Sequence, residues 1–160
     1  MAWGPEQKNT EVVEMSRIAL FDTEYSTLRS LYYALTGEGH EVITNTATET
    51  IEGQPVTQLI TDPVHLLNKI LQPQIIDGHA TVKAPDLFII DFLNIDGEKI
   101  MKLLKQIRLT KDIPIIAMSH VSGNIDRLQM IEIYGAHYIS KPFNIWEVVE
   151  CAESFIGIKC

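Results

Sequence analysis

Cysteine is scarce in this 160-residue chain: there are two, Cys151 and Cys160, both near the C-terminal end and neither in a CxxC or Cys/His ligand spacing. A disulfide framework and a structural zinc site are therefore not expected, and the reducing cytoplasm is the expected compartment. Positive charge is also short, with 13 Lys and Arg against 21 Asp and Glu, a formal charge of −8 and a pI near 5.0. Such a chain lacks the basic footprint that holds phosphate backbones or anionic lipid, which argues against direct nucleic-acid or membrane binding. Long apolar runs are missing too. Segments such as residues 113–118 are strand-length, far below the roughly 20 residues that cross a bilayer. The first eight residues have neither the basic start nor the apolar stretch of a secretory signal. What remains is 46% hydrophobic and 21% charged, a globular composition at a length that suits one domain.

Apolar residues alternate between strand-like and helix-like patterns, the signature of βα units building a parallel sheet. Residues 18–21 read as a buried strand ending at Asp22, and Leu28, Leu31, Tyr32 and Leu35 follow at helical spacing until Gly37 and Gly39. A second strand is predicted at 41–44 and a third at 87–90, ending at Asp91. A helix with Ile100, Leu103, Leu104 and Ile107 on one stripe comes next. The fourth strand, 113–118, ends at Ser119, and a helix over about 124–134 follows it. A fifth strand at 136–140 precedes a last helix that Asn144 can cap. Asp91 lies 49 positions after Val42, more than a strand, a short helix and a loop require, so residues 46–84 read as containing an insertion. Asp62 and Pro63 would start a helix there, and Asp77-Gly78 between β-prone pairs suggests a small hairpin. Residues 1–16 read as a loosely held N-terminal tail, and 17–160 as the domain.

In open parallel α/β sheets, ligands bind at the carboxyl ends of the strands. The residues at those ends are Asp22, Thr23 and Glu24, then Asp91, then Ser119 and His120, then Lys141. Clustered carboxylates repel one another unless a cation offsets them, and hard oxygen donors of this kind favour Mg2+ over zinc. An ammonium and a hydroxyl converging on the same point suit the oxygens of a phosphoryl group. Taken singly, each residue has a plainer role: Asp22 or Thr23 as a helix cap, Ser119 as a turn residue, Lys141 as a solvated charge. Their convergence carries the reading of phosphoryl transfer to an aspartate.

These residues resemble those of response-regulator receiver domains. The segment Gly135-Ala136-His137-Tyr138-Ile139-Ser140-Lys141-Pro142-Phe143 is similar to the signature around the family's fifth strand, and Pro85-Asp86-Leu87-Phe88-Ile89-Ile90-Asp91 to the stretch ending at its phosphoacceptor. Gly39-His40-Glu41-Val42 and Ile113-Pro114-Ile115-Ile116 also fit, so that the resemblance covers about residues 17–157 apart from the insertion. It implies a flavodoxin-like, doubly wound five-stranded parallel sheet with strand order 2-1-3-4-5. It implies Asp91 as phosphoacceptor, with Mg2+ held by Asp22, Asp91 and the backbone carbonyl of Leu93. Lys141 and Ser119 would each contact a phosphoryl oxygen, and Tyr138 would turn inward as Ser119 moves. The Lys141-Pro142 bond would be cis. The implied partners are a histidine kinase or phosphotransfer protein, and a second copy through the fourth helix, fifth strand and fifth helix. Any enzymatic activity would be limited to self-phosphorylation from a donor and autodephosphorylation.

Three departures stand out. Receivers usually carry two adjacent acids after the first strand, whereas Thr23 takes the second place here, which weakens Mg2+ binding unless Glu24 swings in. The loop after Asp91 is short and lacks the common proline, and His120 follows Ser119 where a small residue is frequent, narrowing access to Asp91. The alternative is a pseudo-receiver that works through protein contacts alone, with Trp146 as a candidate interface aromatic. A phosphatase of the haloacid dehalogenase type, with Asp22 as nucleophile, is a remoter reading: it needs a further pair of acids after Lys141, and only Glu147, Glu150 and Glu153 follow, spaced along a helix.

Overall fold

The computed structural model describes residues 15–92, 95–120 and 125–156. Most of the expected tail, residues 1–14, lies outside them, as do Leu93, Cys160 and the side chains of Ile125 and Met130. The elements in order are β1 (Arg17–Phe21), α1 (Tyr25–Gly37), β2 (Glu41–Thr44), β3 (Thr46–Ile51), β4 (Gln54–Leu59), α2 (Pro63–Ile70), β5 (Gln74–Ile76), β6 (His79–Thr81), β7 (Leu87–Asp91), α3 (Gly97–Gln106), β8 (Ile115–Ser119), α4 (Ile125–Ile133), β9 (His137–Ser140) and α5 (Ile145–Ile156).

Five of the strands form one parallel sheet in the order β2-β1-β7-β8-β9, the doubly wound order that the resemblance implies. The strands β1, β7 and β8 are buried at every position, which is why they read as continuous apolar runs rather than alternating ones. The pleat sends successive side chains to opposite faces. Ala19, Phe21, Phe88, Ile90 and Ala117 pack on one side with Leu66 and Ile70 of α2, Ile100, Met101 and Leu104 of α3, and Ile131 of α4. Ile18, Leu20, Leu87, Ile89, Ile116 and Met118 pack on the other with Leu28, Leu31 and Leu35 of α1 and Val148, Val149 and Ala152 of α5.

Helix α2 starts as expected, with Asp62 accepting from the His65 N–H at 2.9 Å and Pro63 in the first turn. Its Leu66 and Ile70 are 0% and 1% exposed within the core, so α2 is one of the layers that cover the sheet. The extra length of residues 46–84 is carried by two antiparallel hairpins that flank it, β3–β4 and β5–β6. The second is the one anticipated at Asp77-Gly78, both residues having positive φ, 50° and 79°. The first turns at Glu52 and Gly53, whose φ values of 51° and 78° have the same sense and match the primed turns that suit strand twist.

The start of α3 requires glycine. A Cβ on Gly97 would lie 2.8 Å from the Cα of Phe92, so α3 can start this close to Phe92 only at a residue without a side chain. Asp96 caps this helix by accepting from the Lys99 N–H at 3.2 Å, and Asn144 caps α5 by accepting from the Trp146 N–H at 3.0 Å. The core placement of α2 can be measured: Leu66→Ala is expected to cost about 2–5 kcal/mol in urea unfolding, whereas a change within about 0.5 kcal/mol would mark α2 as a surface appendage.

Candidate functional site

Parallel alignment brings the four strand ends named in the sequence to one edge of the sheet. Asp22 directly follows β1, Asp91 is the last residue of β7, Ser119 the last of β8, and Lys141 directly follows β9. All four are buried, Asp22 and Ser119 completely, Asp91 to 1% exposure and Lys141 to 8%. The Lys141 ammonium donates to Asp22 Oδ2 at 2.8 Å and lies 3.5 Å from Asp91 Oδ2 and 3.8 Å from Glu24 Oε1. Asp22 does not cap α1 in the usual way, yet its Oδ1 accepts from the Glu24 N–H at 2.9 Å, closing the turn into that helix. A cis peptide bond joins Lys141 to Pro142.

Ser119 anchors its neighbours through its main chain. Its carbonyl accepts both the Lys141 N–H at 3.0 Å and the Tyr138 hydroxyl at 2.9 Å, which holds the half-buried Tyr138 ring toward the site. Its own Oγ is buried and has no hydrogen-bond partner among the described residues. An unmatched buried hydroxyl costs about 1–3 kcal/mol, a cost that a ligand oxygen at this position would relieve. Glu24 is half-exposed and accepts weakly from Thr27 Oγ1 at 3.3 Å. Beside Lys141 a cleft of about 230 Å³ opens between α1, His120 and the residues that follow β9, lined by Glu24, Ser26, Thr27, Ser30 and the exposed His120 among others.

The electrostatics follow from three carboxylates facing one ammonium. Burial pushes the Asp22 carboxyl above its ordinary value and the nearby Asp91 charge adds to the rise, against the pull of Lys141 and the Glu24 N–H. Burial also acts to lower Lys141, but the hydrogen bond to Asp22 and the charges of Asp22, Asp91 and Glu24 outweigh it, leaving the ammonium above its ordinary value. With all four groups ionised the cluster carries two negative charges in excess, and its donors are hard oxygens, the chemistry that suits a small dication. No group of three or more His, Cys, Asp or Glu is placed to hold a metal ion among the described residues. Thr23, half-buried and next to Asp22 in sequence, carries a neutral hydroxyl rather than a carboxylate. Asp22, Asp91 and Glu24 are gathered around the Lys141 ammonium, and Leu93 lies outside the described residues.

One residue at the site was not anticipated from sequence. Asn45, fully buried between β2 and β3, accepts the Asp22 N–H at 3.0 Å and donates to the Asp22 carbonyl at 2.9 Å.

Comparison with known proteins agrees with this architecture. No protein-family model matches the chain. The phosphate regulon transcriptional regulatory protein PhoB of Pseudomonas aeruginosa is 33% identical over 76 residues, covering 45% of this chain and 33% of the relative. The chain thus spans about a third of the length of that curated relative. Among solved structures, the CheY-like response regulator receiver domain protein of Methanospirillum hungatei has a TM-score of 0.65 at 19% identity, with 89% of this chain and 94% of that chain covered. The receiver domain of the sensor histidine kinase PA1611 from Pseudomonas aeruginosa, solved with magnesium coordinated in its active-site cleft, has a TM-score of 0.61 at 17% identity, covering 89% and 98%. The fold is that of response-regulator receiver domains.

The cluster makes a prediction about pH. A carboxyl whose folded pKa lies above its unfolded value contributes stability that is fully present below the unfolded value and lost as pH rises through the folded one. Removing the ammonium raises the folded value of Asp22 further. Lys141→Met is expected to destabilise the chain by about 3–5 kcal/mol at neutral pH, with the deficit shrinking as pH falls toward the ordinary carboxyl value of 3.8. Urea unfolding across that range checks it, and a deficit independent of pH would contradict it.

Proposed function

We propose that the chain is a receiver that takes a phosphoryl group onto Asp91 from a histidine kinase or phosphotransfer protein in the cytoplasm and thereby switches a protein-interaction surface. The observation that carries this reading is the Lys141 ammonium close to both Asp22 and Asp91, at the same sheet edge as a Ser119 hydroxyl that has no partner among the described residues. An Asp91 oxygen attacks phosphorus while the bond from phosphorus to the donor's imidazole nitrogen breaks, and the electron pair leaves with the imidazole. Lys141 offsets negative charge on the phosphoryl oxygens, and the Ser119 hydroxyl donates to one of them. Mg2+ would be held by Asp22 and Asp91, with Glu24 in support, and would supply further charge neutralisation on the transferred group. Its binding is expected to be weakened by Thr23. Tyr138, tied to the Ser119 carbonyl, would report the change to α4, β9 and α5. Exposed Ile133, Trp146 and Phe155 on α4 and α5 suit a protein contact there, including one with a second copy.

A second reading, a pseudo-receiver that signals without phosphorylation, is favoured by Thr23 and by the incomplete acidic set. One experiment separates the two. Incubation with Mg2+ and a small acyl phosphate should give a phosphoryl mass increment that is absent in Asp91→Asn; no increment at saturating donor supports the pseudo-receiver. Restoring the acid tests the metal. Thr23→Asp should tighten Mg2+ binding by roughly tenfold or more, measured by titration, and unchanged binding would place the ion elsewhere.

A further inference from the structure

Asn45 belongs to neither of the strands it joins. Its main chain bends between β2 and β3 while its side chain enters the core, where it is 0% exposed. Parallel pairing of β1 with β2 runs as far as Leu20 opposite Thr44, so the main chain of Asp22 lies beyond the end of that ladder. The Asn45 amide takes the place of the missing strand. Its Oδ1 accepts the Asp22 N–H at 3.0 Å and its Nδ2 donates to the Asp22 carbonyl at 2.9 Å, so one side chain satisfies both polar groups of that residue. The same Nδ2 donates to the Ile60 carbonyl at 3.2 Å, and the Asn45 carbonyl accepts the Ile60 N–H at 2.8 Å. Ile60 is the residue at which the β3–β4 hairpin returns to the core. On the far side of the bend, the Lys69 ammonium of α2 donates to the carbonyls of Thr44 and Thr46. The bend is thus held by Lys69 at its main chain and tied to Asp22 through the Asn45 side chain.

We infer that Asn45 is a positioning residue: it aims the Asp22 carboxylate at Lys141 and Asp91, and it makes the β3–β4 hairpin and the acidic site one mechanical unit. Its functional part rests on the phosphoacceptor reading above. A side chain that only filled space would affect stability and leave the behaviour of the folded site unchanged. Asn45 holds the main chain of Asp22 rather than its carboxylate, and so acts on the direction in which that carboxylate leaves the backbone; loss of outer partners that orient a metal ligand costs roughly 10–100-fold in metal affinity.

The test uses the full chain as wild type, Asn45→Ala and Asn45→Ser, the serine keeping a hydroxyl that can serve one of the two Asp22 groups. With a small acyl phosphate as donor, the Mg2+ concentration for half-maximal phosphorylation is expected to rise roughly tenfold in Asn45→Ala and by less in Asn45→Ser. Hydrogen exchange should quicken at the amides of Asp22 and Ile60 together. A lowered Tm with an unchanged Mg2+ midpoint would overturn the positioning role, and faster exchange at Asp22 with Ile60 still protected would overturn the coupling to the hairpin. Should Asn45→Ala not fold, Asn45→Ser decides both points. Should the wild-type chain take up no phosphoryl group, the phosphoacceptor reading falls, and the paired exchange at Asp22 and Ile60 then decides the inference.

Discussion

The ammonium of Lys141, enclosed by carboxylates, is the interaction on which the rest of this sheet edge depends. Two acids as deeply buried as Asp22 and Asp91 repel one another in a low-dielectric setting, and the positive charge of Lys141 close to both offsets that repulsion. Lysine suits that place because a long aliphatic stem lets a point charge cross from β9 toward strands in the middle of the sheet. The backbone supports the reach: Lys141 follows β9 directly and its N–H is fixed to the carbonyl of Ser119 at the end of β8. Among the described residues, the Lys141 ammonium lies within ion-pair distance of three acids, Asp22, Glu24 and Asp91.

Stability and chemistry are kept on different atoms of the same strands. The interior of β1, β7 and β8 alternates between two hydrophobic layers, and apart from Arg17, which opens β1, the polar residue of each strand is its last or the one just beyond it. The helices that close those layers cannot move far without exposing large apolar side chains. Change at the site is therefore directed into side chains and loops at the edge, among which Tyr138 and the Ser119 main chain already share a hydrogen bond.

Much of this was legible in the sequence, for a physical reason. Buried parallel strands leave continuous apolar runs, and the polar residue that ends each run must lie at the functional edge, so Asp22, Asp91, Ser119 and Lys141 could be gathered by pattern alone. The helix α2 was recognised from Asp62 and Pro63 but read as part of an insertion, because chain length between strands says nothing about which segment faces the core. The hairpin β3–β4 gave no signal. Its turn uses Glu52-Gly53 rather than Asn-Gly or Asp-Gly, its strands are mostly exposed and rich in Thr and Gln, and Pro55 interrupts one of them. Asn45 was invisible for a different reason: its partners are main-chain groups of Asp22 and Ile60, distant in sequence, and main-chain groups leave no mark on residue type.

The hairpin's composition has a consequence for how the molecule behaves among its own kind. A two-stranded ribbon outside the main sheet presents unpaired edges, which in an apolar and uninterrupted ribbon would invite strand addition by neighbouring chains. Here Pro55 removes a donor from β4, and exposed Glu49 and Glu52 set like charges against any copy that approached in register. At a formal charge of −8, the chain adds general repulsion to that local deterrent.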